Sequence, residues 1–333
     1  MRIAICISGY FSNKNGDNLL LSNYIYDNVI YKCNGNDVDI FIHSFDKQNE
    51  TNIIKKYPNT KCCVVEEQID FIKILSKENY EYYKELENQK YFNFGEYNFQ
   101  TALSFLYSRC KTIKYALQYS KEHNIVYDCI IRCRNDVGIR QKTTLNGYKP
   151  DNLIFNPTLD FSYFYSSYWN QLNAGYVGFW EFSNSENMEI FSNLYDYALN
   201  NMLKLNSDYL VSLNNWFDSN KNDFRTNEML NKKINVNECE REKYNFVHSS
   251  NTHIIEKFFM YNCGLYYKSR FLDYTNNLEI LYEQCATTNN PKNDILNLEY
   301  KYCPVERRIG NSQRNSSRFM FIGWKGNIKE KDR

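Results

Sequence analysis

Short apolar runs recur along the first 140 residues, each closed by a polar residue or glycine. Ile3 to Ser8 (IAICIS) is almost continuously apolar and stops at Gly9, the pattern of a strand buried on both faces in a parallel sheet. Val38 to His43 (VDIFIH) forms a second such run and continues into Ser44-Phe45-Asp46. Cys62 to Glu66 (CCVVE) forms a third, and Tyr127 to Cys133 (YDCIIRC) a fourth. Between them the period changes. Asn18 to Tyr31 predicts a helix, and the charged, aromatic residues 76–99 predict an exposed helix followed by a loop. Phe99 to His123 carries the clearest helical pattern, with Ala102, Phe105, Leu106, Ile113, Ala116 and Leu117 close to a 3.6-residue repeat and Asn124 placed to end it. Strands separated by helical segments predict βα units and a doubly wound α/β sheet.

Past Asp136 the pattern weakens. Residues 141–173 are rich in Tyr, Phe, Asn and Ser and suit acceptor-binding loops. Ala174 to Phe182 (AGYVGFWEF) predicts a further strand, and Ser185 to Leu203 a helix capped by Ser183 or Ser185. Residues 208–234 predict more helix, and a basic, polar tail follows Cys303. No internal repeat or low-complexity linker divides the chain. The natural reading is one continuous domain whose halves are 1–140 and 141–333, the second ending in a basic tail.

Composition narrows the classes. A chain of 333 residues with 43% hydrophobic and 17% aromatic residues has ample area for a core and is not a disordered chain. Lys and Arg total 40 against 39 Asp and Glu, so no global field recruits nucleic acid, and anion binding must come from local clusters. The eleven cysteines form no CxxC pair and no grouping with His that would hold zinc. Cys6, Cys129 and Cys133 fall inside apolar strands, where a free thiol serves as a small hydrophobe. Their odd number, with no signal-peptide pattern ahead of the first strand, fits a reduced, cytoplasmic protein. No apolar stretch approaches the ~20 residues that cross a bilayer.

The densest chemistry lies in Tyr127-Asp-Cys-Ile-Ile-Arg-Cys-Arg-Asn-Asp-Val137. Strand alternation puts Ile131, Cys133 and Asn135 on one face and Ile130, Arg132 and Arg134 on the other. Two arginines this close to a buried strand require acidic or phosphate partners, because an unpaired buried charge is too costly. Asp136 falls at the carboxyl end of the strand, the edge at which open α/β sheets bind ligands. A carboxylate there can hold Mg²⁺ or Mn²⁺ together with substrate phosphates. Alternatively, Arg134 and Asp136 form a structural ion pair.

These pieces, in order, resemble a family of bacterial and viral glycosyltransferases with a GT-A-like fold. The matching residues are Ile7-Ser8-Gly9, Val38-Asp39-Ile40-Phe41-Ile42-His43, Tyr107-Ser108, and Tyr127-Asp128 through Asp136. A further stretch at 174–195 contributes Gly178-Phe179 followed by Met188. The resemblance implies a Rossmann-type mixed sheet flanked by helices with an α-rich C-terminal part, and transfer of a hexosyl or related sugar from a nucleoside diphosphate donor to a glycan or other hydroxyl acceptor. It also implies donor contacts at Ser8 and Gly9, and Mn²⁺ or Mg²⁺ at Asp136. Two departures matter. Tyr10-Phe11-Ser12 stands where the family often has an arginine, and the Asp-x-Asp of GT-A enzymes is here Arg134-Asn135-Asp136, with one carboxylate. Arg134 can instead meet a donor phosphate directly, a metal-free route to the same charge neutralisation.

Further candidates are weighed against blander roles. His43, at a strand end, can face the donor cleft or serve as a hydrogen-bonded structural residue. His248 and His253 lie where GT-A enzymes can supply another metal ligand. Glu228, in Arg225-Thr-Asn-Glu228, can be the base that deprotonates an acceptor hydroxyl, or a helix-terminal carboxylate favoured by the dipole. Arg307 and Arg308, with Arg314 and Arg318, can close over a diphosphate as a flexible lid, or form a solvated tail, or an electrostatic patch touching RNA or anionic lipid. The aromatics of 161–180 suit stacking on sugar rings as well as core packing. The alternative function is a nucleotide- or glycan-binding protein of the same fold without catalysis.

Overall fold

The computed structural model describes residues 1–12, 30, 37–57, 60–81, 99–137, 153, 155–167, 175–204, 206–220, 251–272, 278–285, 299–308, 321–322 and 328–329. The predicted helix over Asn18 to Tyr31 therefore lies outside the described residues apart from Ile30, as do Glu228, His248, Arg314 and Arg318.

The four apolar runs form strands β1 (Arg2–Ser8), β2 (Asp37–Ser44), β3 (Thr60–Val65) and β4 (Cys129–Arg134). All four are parallel, with β2 and β4 on either side of β1 and β3 outside β2. Short side chains and branched aliphatics suit such a sheet because both faces are covered. Ala4, Cys6, Phe41 and Ile130 pack on one face, while Ile3, Ile5, Ile7, Ile40, Ile42, Ile131 and Cys133 pack on the other. The predicted alternation along β4 is the one observed, and Cys6, Cys129 and Cys133 are fully buried.

Three further strands extend the sheet: β5 (Phe164–Ser167), β6 (Trp180–Ser183) and β7 (Ser269–Leu272). The order is β3-β2-β1-β4-β6-β5-β7, with β6 antiparallel to both β4 and β5. The molecule is thus α/β with a mixed seven-stranded sheet among the described residues, and strands from both halves of the chain share it. Two expectations shift here. A strand, β5, occupies part of the segment read as acceptor loops. The strand predicted over Ala174 to Phe182 is shortened to its last residues, because Gly175 and Gly178 adopt positive φ (122° and 71°) that a strand does not accommodate.

Helix α1 (Glu50–Lys56) follows β2, and α2 (Phe99–Glu122) covers the sheet face carrying Phe41 and Ile130. Its buried stripe includes Ala102, Leu103, Leu106, Cys110, Ile113 and Ala116, and no Gly or Pro interrupts it. The helix ends as expected: Asn124 takes the left-handed conformation (φ 50°), and Ile125 N–H reaches back to Ser120 O at 2.9 Å.

The predicted helix from Ser185 breaks into α3 (Ser185–Phe191), α4 (Leu194–Tyr197) and a π turn over Ala198–Met202. Its cap is Asn184, whose side chain accepts from Asn187 N–H at 2.9 Å, rather than Ser183 or Ser185. Both serines are committed elsewhere: Ser183 donates to Phe161 O and Tyr163 O, and Ser185 to Tyr127 O. Helix α5 (Asp208–Asn220) and α6 (Thr252–Asn262) complete the described helices used below. Strands β8 (Leu278–Cys285) and β9 (Glu299–Arg308) pair antiparallel, so Arg307 and Arg308 belong to a strand and not to a flexible tail. Among the described residues no helix is long and apolar enough to cross a membrane.

Candidate functional site

The chain leaves β1 toward β2 and β3 on one side and returns to β4 on the other, so the sheet's switch point lies between β1 and β4. In open α/β sheets ligands bind outside the carboxyl ends of the strands at such a point. Ser8 and Arg134 are register partners across it. Asn135 N–H donates to Ser8 O at 3.2 Å, and the Asn135 amide donates to Tyr10 O. Gly9 is required beneath this bridge: its φ of +133° is outside the range of L side chains, and a Cβ there would collide with Asn135 Oδ1. On the other side, Ser44 Oγ donates to Gly9 O at 2.7 Å. Four residues picked from the sequence, Ser8, Gly9, Arg134 and Asp136, are therefore brought together at one edge.

Arg134 grips Asp136 with both arms of its fork, Nε to Oδ1 at 2.8 Å and Nη2 to Oδ2 at 2.5 Å. The Arg134 side chain stays 27% exposed against 10% for Asp136. Its guanidinium carbon stands 4.9 Å from the centre of the Phe179 ring, and Arg134 N–H donates to Phe179 O at 3.0 Å. With both carboxylate oxygens in the fork, a divalent ion at Asp136 would share the carboxylate with a cation or compete with it. Among the described residues no three His, Cys, Asp or Glu side chains group closely enough to hold a metal ion. As arranged, Arg134 and Asp136 answer each other. They do leave a partly exposed guanidinium at the ligand edge.

His43 is placed differently from the donor contact expected of it. It is fully buried, with Nδ1 2.8 Å from Ser108 Oγ and Nε2 2.8 Å from Glu66 Oε1. A carboxylate only accepts, so Nε2 carries the proton and Ser108 donates to Nδ1. Burial lowers the His43 pKa despite the Glu66 bond, which keeps the ring neutral. Both ring nitrogens are thus occupied, and His43 orients Glu66 just past the end of β3. Phe45, Tyr107 and Tyr115 ring it with aromatic faces and edges.

His253, at the start of α6, comes to this neighbourhood from far along the chain. Its Nδ1 donates to Tyr176 O, and Gly175 at φ +122° lets the strand-side backbone approach His253 O. Burial lowers its pKa to about 4, and the charges of Arg109 and Arg134 add to that.

Behind the edge lies a group that sequence reading missed. Arg109 of α2, Arg132 of β4, Glu181 of β6 and Glu256 of α6 have side chains 0–1% exposed. Arg109 reaches both Glu256 oxygens, at 2.5 and 2.7 Å, and also donates to Glu181. Arg132 Nη2 lies 2.5 Å from Glu181 Oε2 and donates to Gly178 O at 3.0 Å. Two positive and two negative groups balance, as burial demands. Burial raises the Glu256 pKa to about 7 and lowers Arg132 to about 10; for Arg109 the two carboxylates outweigh burial and raise it. A signal existed: Glu181 is a lone charge in an apolar strand, facing the arginine for which a partner was required. By bonding Gly178 O, the group fixes the turn that lays Phe179 against Arg134. No protein-family model matches the chain, no curated protein is significantly similar to it in sequence, and no solved structure is significantly similar to it in fold.

Proposed function

We propose that this chain is a glycosyltransferase of GT-A-like type that takes a nucleoside diphosphate sugar as donor and passes the sugar to a glycan or other hydroxyl acceptor. The observation that carries the reading is the meeting of Ser8, Gly9, Arg134 and Asp136 at the switch point between β1 and β4. In this reading the Ser8–Gly9 backbone borders the diphosphate. Arg134, partly exposed and backed by Phe179, neutralises charge building on the departing nucleoside diphosphate. Asp136 orients the guanidinium until phosphate competes for it. Glu228 is the proposed base toward the acceptor, and Arg307 and Arg308 are proposed as further phosphate contacts; Mn²⁺ or Mg²⁺ at Asp136 remains part of the proposal as a competitor of Arg134.

A second reading is favoured by the arrangement of Asp136. A carboxylate locked to Arg134 also suits a nucleotide- or glycan-binding protein without transferase activity. Calorimetry with UDP, GDP, ADP and CDP, with and without Mn²⁺, tests both readings. Nucleotide binding that weakens in Arg134→Ala supports a donor site, and absence of all nucleotide binding sinks it. Donor-hydrolysis assays then separate the enzyme from the binder.

A further inference from the structure

Glu181 and Glu256 share one guanidinium. Arg109 donates to Glu181 Oε1 and to both oxygens of Glu256, so two carboxylates meet at a single group inside the core. Like charges held this close, away from water, resist being ionised together. The two are not equally committed. Glu181 is also answered by Arg132, its register partner between β4 and β6, whereas among the described residues Glu256 pairs with Arg109. A proton is therefore taken most cheaply at Glu256. Burial raises its pKa to about 7, with Glu181 adding to the rise and Arg109 and Arg132 opposing it.

Charged groups face Glu256 from three other elements: Arg109 from α2, Arg132 from β4 and Glu181 from β6. On α6 itself, His253 lies one turn back, and Lys257, also buried, follows about 100° further round the helix. Tyr197 of α4 and Tyr209 of α5 pack on Phe259 and Phe258, and burial raises both phenols, so they stay neutral. The buried group also stands close behind the ligand edge. Arg132 and Arg134 share a face of β4, two residues or roughly 7 Å apart along the strand. The charges of Arg109 and Arg134 both reach His253, three residues before Glu256.

We propose that the four buried residues work as a proton reservoir for this edge: Glu256 takes a proton from solvent when an anion settles on Arg134 and returns it when the anion leaves. This rests on the reading of Arg134 as the phosphate contact and adds a pH dependence to it. The sign follows from charge. With Glu256 ionised, two arginines and two glutamates sum to zero; with Glu256 protonated, one positive charge is left behind Arg134. That charge favours an anion, and by reciprocity the anion favours the proton by the same factor. Over roughly 10 Å at an effective dielectric of about 20, the factor is about tenfold. A proton needs no cavity, since local opening of the fold admits it within the time of a titration. His253 cannot substitute near neutral pH, because burial holds its pKa at about 4.

The test is calorimetry in buffers of different ionisation enthalpy, with a panel of nucleoside diphosphate sugars and with sulfate, none of which titrates at its anionic groups near neutrality. Wild type is expected to take up about 0.4 proton per bound anion near pH 7, and to bind about fivefold more tightly at pH 6 than at pH 8. Glu256→Gln, neutral at that position, should bind without proton uptake and without this pH dependence. Arg134→Ala should lose the uptake together with the anion. Infrared difference spectra of wild type give a reading that needs no variant to fold: a protonated-carboxyl band should rise on anion binding. Binding to wild type without proton uptake overturns the inference and leaves the donor site standing. So does uptake that persists in Glu256→Gln, which places the proton elsewhere. Sulfate binding with uptake but no nucleotide-sugar binding keeps the coupling and sinks the donor reading, and binding of neither anion removes both.

Discussion

Arg134 and Asp136, two residues apart at the end of β4, are locked in a two-pronged ion pair at 2.8 and 2.5 Å on the edge where the sheet can bind a ligand. The pair sets up a competition. Whatever anion arrives must offer the guanidinium more than Asp136 does, and whatever cation arrives must offer Asp136 more than Arg134 does.

Arg134→Ala is expected to weaken metal-free binding of nucleoside diphosphates by about tenfold or more, the worth of a hydrogen bond to a charged group. Asp136→Ala is expected to leave metal-free binding intact or tighter, because the fork is released, while abolishing any Mn²⁺ enhancement. Calorimetry on both variants checks this. A tighter metal-free complex in Arg134→Ala would contradict the assignment of Arg134 to phosphate.

The buried group of Arg109, Arg132, Glu181 and Glu256 predicts a strong asymmetry among substitutions. Removing one member, as in Glu181→Ala, strands an arginine in the core and should cost about 3–5 kcal/mol. Glu256→Gln keeps the volume and one of the two oxygens that accept from Arg109, and should cost less than Glu181→Ala, since burial already raises the Glu256 pKa to about 7. Urea denaturation curves of the two variants test the ordering.

Stability should fall on acidification below the ordinary histidine range. His43 and His253 both have lowered pKa values, His253 to about 4. A histidine held neutral in the fold and free to protonate when unfolded contributes stability above ~6.5, which is lost as pH falls toward the folded value. For His253 the window runs from ~6.5 down to about 4, with a slope of up to about 1.4 kcal/mol per pH unit. Glu256 acts with the opposite sign, its burden easing as pH falls from about 7. Denaturation at stepped pH should therefore show a steeper acid loss in Glu256→Gln and a shallower one in His253→Gln.

Gly9→Ala should destabilise the chain by about 1–3 kcal/mol, because Gly9 sits at φ +133° and a methyl group meets Asn135 Oδ1. Loss of the Asn135 bridge to Tyr10 O would also loosen this sheet edge, so nucleotide affinity should fall with stability. Gly264, where a Cβ meets nothing within 4 Å, provides a control with positive φ but free space. Gly264→Ala should cost only the backbone strain and leave nucleotide affinity alone.

Much of the N-terminal half was legible along the chain. The apolar runs that became β1, β2, β3 and β4, the alternation on β4, and the stop of α2 at Asn124 depend on neighbours within a few residues, where side-chain period and backbone preference decide the outcome. The same local logic showed that Arg132 and Arg134 needed partners. It could not name them. Asp136 is two residues from Arg134, but Arg132 is answered by Glu181 from an antiparallel strand, and Arg109 by Glu256, 147 residues away. Cap choice failed for a related reason: Ser183 and Ser185 were drawn to carbonyls of Phe161, Tyr163 and Tyr127, leaving Asn184 to cap α3.

What the sequence determined by itself is the set of buried strands, the long amphipathic helix and the polar cluster ending at Asp136, all written in local periodicity. Only the tertiary structure decided that Ser8 faces Arg134 across a switch point, that His43 turns inward to Ser108 and Glu66, and that Glu181 and Glu256 share Arg109. Those outcomes depend on strand order and on long-range competition for hydrogen-bond partners. No window of neighbouring residues contains them.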